Sequence, residues 1–106
     1  MTRLASTLFI FMFTAFAGIA QDKIPEEVNK LLDKNICNTC HKLDERLIGP
    51  SYRELSAKGY DIKTTMELIA EPKPENWPDY PPMAPMGFVD KKELKVIAKW
   101  IVDLKE

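Results

Sequence analysis

The chain has 106 residues, with 15 Lys and Arg against 16 Asp and Glu and a single His. Its formal net charge of −1 lacks the concentrated positive charge that nucleic-acid binding needs, so no nucleic-acid partner is expected. The same balance gives only weak electrostatic steering of protein partners.

Taken in chain order, the N-terminus comes first. Met1 to Arg3 is a short basic start, Leu4 to Ala20 is uncharged and dense in apolar residues, and charge resumes at Asp22 and Lys23. Basic start, apolar stretch and small residues at its end are the layout of a secretory signal. Gly18 and Ala20 precede a cut that leaves Gln21 as the new N-terminus. Ala15 and Ala17 are the small pair for a cut after Ala17. The alternative is an uncleaved anchor, but the stretch is at the short limit for a membrane span. We therefore expect residues 1–20 to be a cleaved signal peptide and residues 21–106 a single exported domain. Removing Arg3 takes Lys plus Arg from 15 to 14 against 16 acids, a net charge of about −2.

A domain this small buries little apolar surface and commonly needs a disulfide, a metal or a cofactor as a staple. The two cysteines, Cys37 and Cys40, are too close in sequence to cross-link distant segments. Every clear periodic segment is helical. Pro25-Glu26-Glu27 suits a helix first turn, and Val28, Leu31 and Leu32 follow on one face, predicting a helix from about Pro25 to Lys34. Ser51 to Glu54 has the capping-box pattern and Gly59 is a natural stop, predicting a short helix over Tyr52–Lys58. Thr64 to Glu67 repeats that pattern and Pro72 ends the third helix. Six of the eight prolines fall between Pro72 and Pro85, which excludes a helix or a central strand there. Trp77, Tyr80, Met83, Met86 and Phe88 are interleaved with them, so the segment reads as a stiff, ordered loop packed on an apolar surface rather than a linker. Asp90 to Glu93 caps the strongest helix, with Leu94, Ile97, Ala98, Ile101 and Leu104 in one stripe widened by Trp100, running to about Lys105.

The chemistry lies in Cys37-Asn38-Thr39-Cys40-His41, the C-x-x-C-H pattern of covalent c-type haem attachment. Two intervening residues let both thiols reach the two vinyl groups on one haem edge, and the following His is brought under the ring to bind iron. A zinc site would need a further ligand pair that is absent from the sequence. A dithiol redox site is expected beside a β-α-β unit, of which there is no sign, and a local disulfide is the remaining alternative. An export signal agrees with haem attached outside the cytoplasm.

With its context, the motif resembles the small periplasmic class I cytochromes c of bacteria over essentially all of residues 22–106. The matching residues are Leu32, the C-x-x-C-H pentad, Gly49-Pro50, Tyr52, Trp77, Pro82-Met83, and Trp100 within Ile97–Ile101. The resemblance implies an all-α fold of about four helices around one haem c, with a Pro-rich loop carrying a Met ligand. It implies thioethers at Cys37 and Cys40, His41 as proximal ligand, the Pro50 carbonyl as acceptor for the other His41 nitrogen, and Tyr52 and Trp77 at the haem edge. Trp77 is also a candidate propionate partner. The chain departs from the family pattern at Ile36, where a small residue is common; only local packing is expected to change. The segment before the Met also matches loosely.

Met66 lies on a helix and reads as core filler. Met83 and Met86 compete for the iron. In the family the ligand precedes the capping acid of the last helix by about seven positions. Met83 precedes Asp90 by seven and follows Pro82, whereas Met86 precedes Asp90 by four, so Met83 is favoured. Met86 is then expected at the haem edge or on an exposed apolar rim with Ile36, Pro82, Ala84 and Pro85. His/Met ligation raises the reduction potential and closes both axial positions, which suits electron transfer without a small-molecule substrate at iron. The function expected is a one-electron carrier, a monomer whose small apolar rim suits brief docking. Redox proteins are its expected partners and the periplasm its location, with membrane contact only through those partners. Lys34, Lys42, Lys91 and Lys92 are candidates for orienting them. The alternatives are a haem subunit of a larger dehydrogenase or oxidase, or a haem enzyme or gas sensor with an open iron site.

Overall fold

The computed structural model describes residues 23–104. The signal peptide expected at residues 1–20 lies outside the described residues; the last helix, expected to run to about Lys105, ends at Asp103. Among the described residues the fold is all-helical: α1 (Glu26–Lys34), α2 (Tyr52–Ala57), α3 (Ile62–Ala70) and α4 (Lys91–Asp103), with single 3-10 turns at Cys37–Thr39 and Pro74–Asn76. No helix among these residues is long and apolar enough to cross a membrane.

The organising element is α4, on which α1, α2 and α3 all pack. Its start is fixed from two sides. The Asp90 carboxylate accepts hydrogen bonds from the backbone N–H of Lys92 and Glu93, at 2.9 and 3.1 Å. Val89 before the cap and Leu94 after it share a buried cluster with Met86, forming a hydrophobic staple. The stripe read from the sequence is the face that α4 buries: Leu94, Ile97, Ala98 and Ile101. Val28 and Leu32 of α1 meet it, and Leu31 and Trp100 pack at the margin. The end of α1 is pinned to the start of α4. Lys34 pairs with Glu93 at 2.7 Å, and Asn35 Nδ2 donates to Glu93 Oε1 at 3.2 Å and to the Leu31 carbonyl at 2.9 Å. Lys34, expected to orient partners, is thus engaged in joining two helices.

The capping box of α2 forms as its sequence requires, with Glu54 N–H on Ser51 Oγ at 3.1 Å and Ser51 N–H on Glu54 Oε2 at 2.9 Å. Gly59 follows at φ 74°, the left-handed conformation that glycine adopts without cost. Helix α3 departs from expectation. It begins at Ile62, and its cap is Asp61, whose carboxylate accepts the Thr64 N–H at 2.7 Å. A carboxylate here accepts more strongly than a threonine hydroxyl, and this bond holds the Asp61 carboxyl below its ordinary pKa. The proline-rich segment is ordered and carries no α-helix, but Pro74–Asn76 forms a 3-10 turn. Proline is tolerated there because the N–H it lacks has no partner in a first turn.

Ile36 has φ 57°, ψ 20°, a left-handed conformation between α1 and the cysteine motif. A β-branched residue in this region carries roughly 1–2 kcal/mol of strain. The departure at Ile36 is therefore a backbone matter rather than a change of packing; the side chain is 61% exposed. Leu43, which no periodic pattern marks, is part of the main core. Leu32 is fully buried where α1 meets α4. Replacing Leu32 with Ala should lower the unfolding free energy of the exported protein by about 2–5 kcal/mol, read from the denaturant midpoint at unchanged slope.

Candidate haem site

A cleft of about 400 Å3 runs between the helices and the proline-rich loop. Cys37, Cys40, His41, Pro50, Tyr52, Trp77 and Met83, the site residues read from the sequence, all line it. Its remaining walls are largely aliphatic and proline side chains, and its one charged lining side chain among the described residues, His41 aside, is Lys73. An apolar cleft bordered by two thiols and an imidazole fits a large flat apolar group that bonds through sulfur and nitrogen. Among the described residues no group of three His, Cys, Asp or Glu side chains is placed to hold a bare metal ion.

The cysteine motif is shaped by its own backbone. Cys37–Thr39 forms a 3-10 turn, and the Cys37 carbonyl accepts from the N–H of both Cys40 and His41, at 3.2 and 3.1 Å. This turn brings both sulfurs and the imidazole to one wall. Both cysteines are half-buried, and no disulfide joins them. Burial pushes the Cys37 thiol up, and Cys40 beside it acts in the same direction.

The imidazole of His41 is fixed from several sides. Its Nδ1 lies 2.7 Å from the Pro50 carbonyl oxygen. A carbonyl only accepts, so Nδ1 carries the proton and Nε2 keeps its lone pair for a metal. Burial pushes the imidazole pKa down, against the opposing effect of the Pro50 bond, which favours the neutral ligand form. Gly49 explains the Gly-Pro pair. A Cβ there would lie 2.7 Å from His41 Cε1 and 3.0 Å from Nδ1, so any larger residue displaces the ring. The Gly49 N–H also donates to the Cys40 carbonyl at 2.7 Å, closing the loop back on the motif.

No family model matches the chain. It is 31% identical over 80 residues to cytochrome c-551 of Pseudomonas denitrificans, an alignment covering 72% of this chain and 95% of that protein. In structure it matches crystalline cytochrome c552 of Nitrosomonas europaea with a TM-score of 0.65 and 28% identity, over 73% of this chain and 99% of that one. The chain belongs to the small class I cytochromes c. It is an electron carrier whose cofactor is covalently bound c-type haem. Cytochrome c-551 of Azotobacter vinelandii is a further relative, 32% identical over 73 residues.

The two methionines of this cytochrome are placed differently. Met83 is 37% exposed on the cleft's proline-rich lip, outside either core cluster. Met86 is 7% exposed and packed with Val89 and Leu94, its N–H bonded to the Ile69 carbonyl at 3.1 Å. It also lines the cleft, but it is not part of an exposed rim as the sequence suggested. Its backbone bond to Ile69 and its packing on Val89 and Leu94 hold Met86 inward. Met66 is half-buried against the same cluster, as expected of core filler.

Tyr52 is 1% exposed, so it is a core residue as well as part of the wall. Its ring lies 5.5 Å from His41 and 5.1 Å, edge-on, from Trp100. Burial pushes its hydroxyl pKa far up, so it stays protonated. Trp77 closes the other end of the cleft, with the Lys58 ammonium 4.5 Å from its ring centroid and Tyr80 at 5.8 Å, edge-on. Arg46 stacks over Tyr80 at 4.1 Å and donates to the Asp79 carbonyl at 2.7 Å. Sequence reasoning missed this cluster, because its members come from three separate segments; the interleaved Trp77 and Tyr80 were the only signal.

Gly49→Ala should displace the imidazole and lengthen its bond to Pro50. A stability loss of about 1–3 kcal/mol is expected, with a changed haem absorption spectrum, checked by thermal unfolding monitored in the visible.

Proposed function

We propose that this cytochrome is an exported, periplasmic shuttle whose single haem is joined to Cys37 and Cys40 and ligated by His41 and Met83. The observation that carries this reading is one apolar cleft lined by both thiols, by an imidazole with its Nε2 lone pair free, and by an uncommitted methionine. When bound, the haem supplies a one-electron ferric–ferrous couple. The chain's part is to hold that couple still and dry.

Pro50 and Gly49 keep the His41 imidazole in one tautomer and one orientation, so little reorganisation accompanies a change of charge. A thioether ligand and an apolar wall favour the less charged, reduced state and raise the potential. Prolines on either side of Met83, at Pro81, Pro82 and Pro85, restrict the loop that carries it. A loop held this way supports a closed axial position, which suits electron transfer and disfavours substrate binding at iron. Lys73 lines the cleft and the Lys58 ammonium lies against the lining Trp77 ring, which supports placing an anionic propionate on that side. Apolar residues exposed around the cleft, Ile36, Ile48 and Met83, support brief docking of redox proteins by a monomer.

Replacement of each methionine tests the ligand set. Met83→Ala should abolish the sulfur-to-ferric-iron absorption, lower the midpoint potential and admit external ligands. Met86→Ala should keep that absorption and lower stability by about 2–5 kcal/mol through loss of core packing. The opposite result would assign the iron to Met86. A colourless exported protein with the mass of bare peptide would remove the whole reading.

A further inference from the structure

Asn38 is the first variable residue of the C-x-x-C-H motif, a position the attachment chemistry leaves open. Its carboxamide is nonetheless almost fully engaged. Asn38 Nδ2 donates to Asn29 Oδ1 at 2.9 Å and to Asp33 Oδ1 at 2.6 Å, both on α1. Asn38 Oδ1 accepts the Tyr52 hydroxyl at 2.7 Å, from the first residue of α2. Only an amide meets this pattern, because one end must donate to a carboxylate while the other accepts from a phenol. Aspartate would face Asp33 with like charge, and an apolar residue would leave the Tyr52 hydroxyl without its acceptor.

The consequence reaches His41 through Tyr52. The tyrosine hydroxyl is held by Asn38, its ring edge by Trp100, and its N–H by the Lys42 carbonyl at 2.8 Å. The ring so held lies 5.5 Å from the His41 imidazole. The tyrosine therefore spans the motif, tied to its second residue and packed beside its last.

We infer that Asn38 is a positioning residue, which ties the cysteine motif to α1 and α2 and sets the orientation of the His41 ring through Tyr52. This rests on His41 being an axial ligand of the haem. The imidazole then keeps one azimuth because two independent restraints hold it: the Pro50 carbonyl at Nδ1 and the clamped Tyr52 ring beside it. Asn38 acts on the second restraint alone.

The test uses exported, haem-loaded wild-type protein, Asn38→Leu, Tyr52→Phe and the double variant. Two properties are read besides thermal stability: the midpoint potential, and the pattern of paramagnetically shifted haem-methyl resonances, which follows the azimuth of an axial imidazole. Both single variants should shift the two properties in the same direction, and the double variant should add little to either. Loss of stability in Asn38→Leu with both properties unmoved would overturn the inference, leaving the amide a structural tie only. Additive shifts would also overturn it, since Asn38 would then act independently of Tyr52. Should Asn38→Leu fail to accumulate with haem, Tyr52→Phe, which removes one hydroxyl, decides by the same two measurements. A wild-type protein loaded with haem but lacking histidine–iron ligation would overturn the ligand reading itself, an outcome distinct from unmoved variants on a normal reference.

Discussion

The bond between His41 Nδ1 and the Pro50 carbonyl, 2.7 Å long and buried, is where the local structure and the chemistry meet. It forms because the backbone of Gly49 passes directly against the imidazole, where a side chain of any size would intrude. It fixes the tautomer, and so decides which nitrogen can serve a metal. The Gly49 bond to the Cys40 carbonyl returns the loop to the cysteine motif, so the 41–50 segment is closed upon the residue it positions. Tyr52, which starts α2 just beyond Pro50, then continues this arrangement into the core.

The helices supply the frame for that loop. With α1, α2 and α3 packed on α4, the cysteine motif that follows α1 meets the start of α2 through the Asn38–Tyr52 bond. The Lys34–Glu93 pair is too exposed to add much stability, but with Asn35 it joins the end of α1 to the first turn of α4. Left-handed backbone at Ile36 then turns the chain from α1 into the motif. On the far side of the cleft the proline-rich loop is tethered by Met86 to α3 and by Arg46 to the 41–50 loop. Both lips of the cleft are therefore anchored to the same helical frame.

Much of this was legible in the residues. The pentad names its own chemistry because thiol spacing and an adjacent imidazole are strictly local requirements. The α4 stripe and the Ser51–Glu54 cap were equally clear, since helix periodicity and capping act within a few residues. Harder to read were features that depend on partners distant in sequence. Asp61 displaced Thr64 as the cap of α3 because two capping side chains compete at neighbouring positions and the stronger acceptor wins. Met86 turned inward because Ile69 offers its N–H a carbonyl and Leu94 offers its side chain a neighbour. Lys34 resembled any solvated lysine until α4 brought Glu93 beside it.

What the sequence by itself determined is the covalent and periodic content: four amphipathic or capped helices, a stiff proline loop, and two thiols with one histidine at haem-attachment spacing. These follow from interactions spanning no more than about two helical turns. Only the tertiary structure decided how those pieces face one another. It assigned Tyr52 to the core beside His41, gathered Arg46, Lys58, Trp77 and Tyr80 at one end of the cleft, and set the exposed Met83 apart from the packed Met86. Such choices depend on long-range packing, where residues far apart in the chain exclude water together, and no local pattern encodes which partner each will meet.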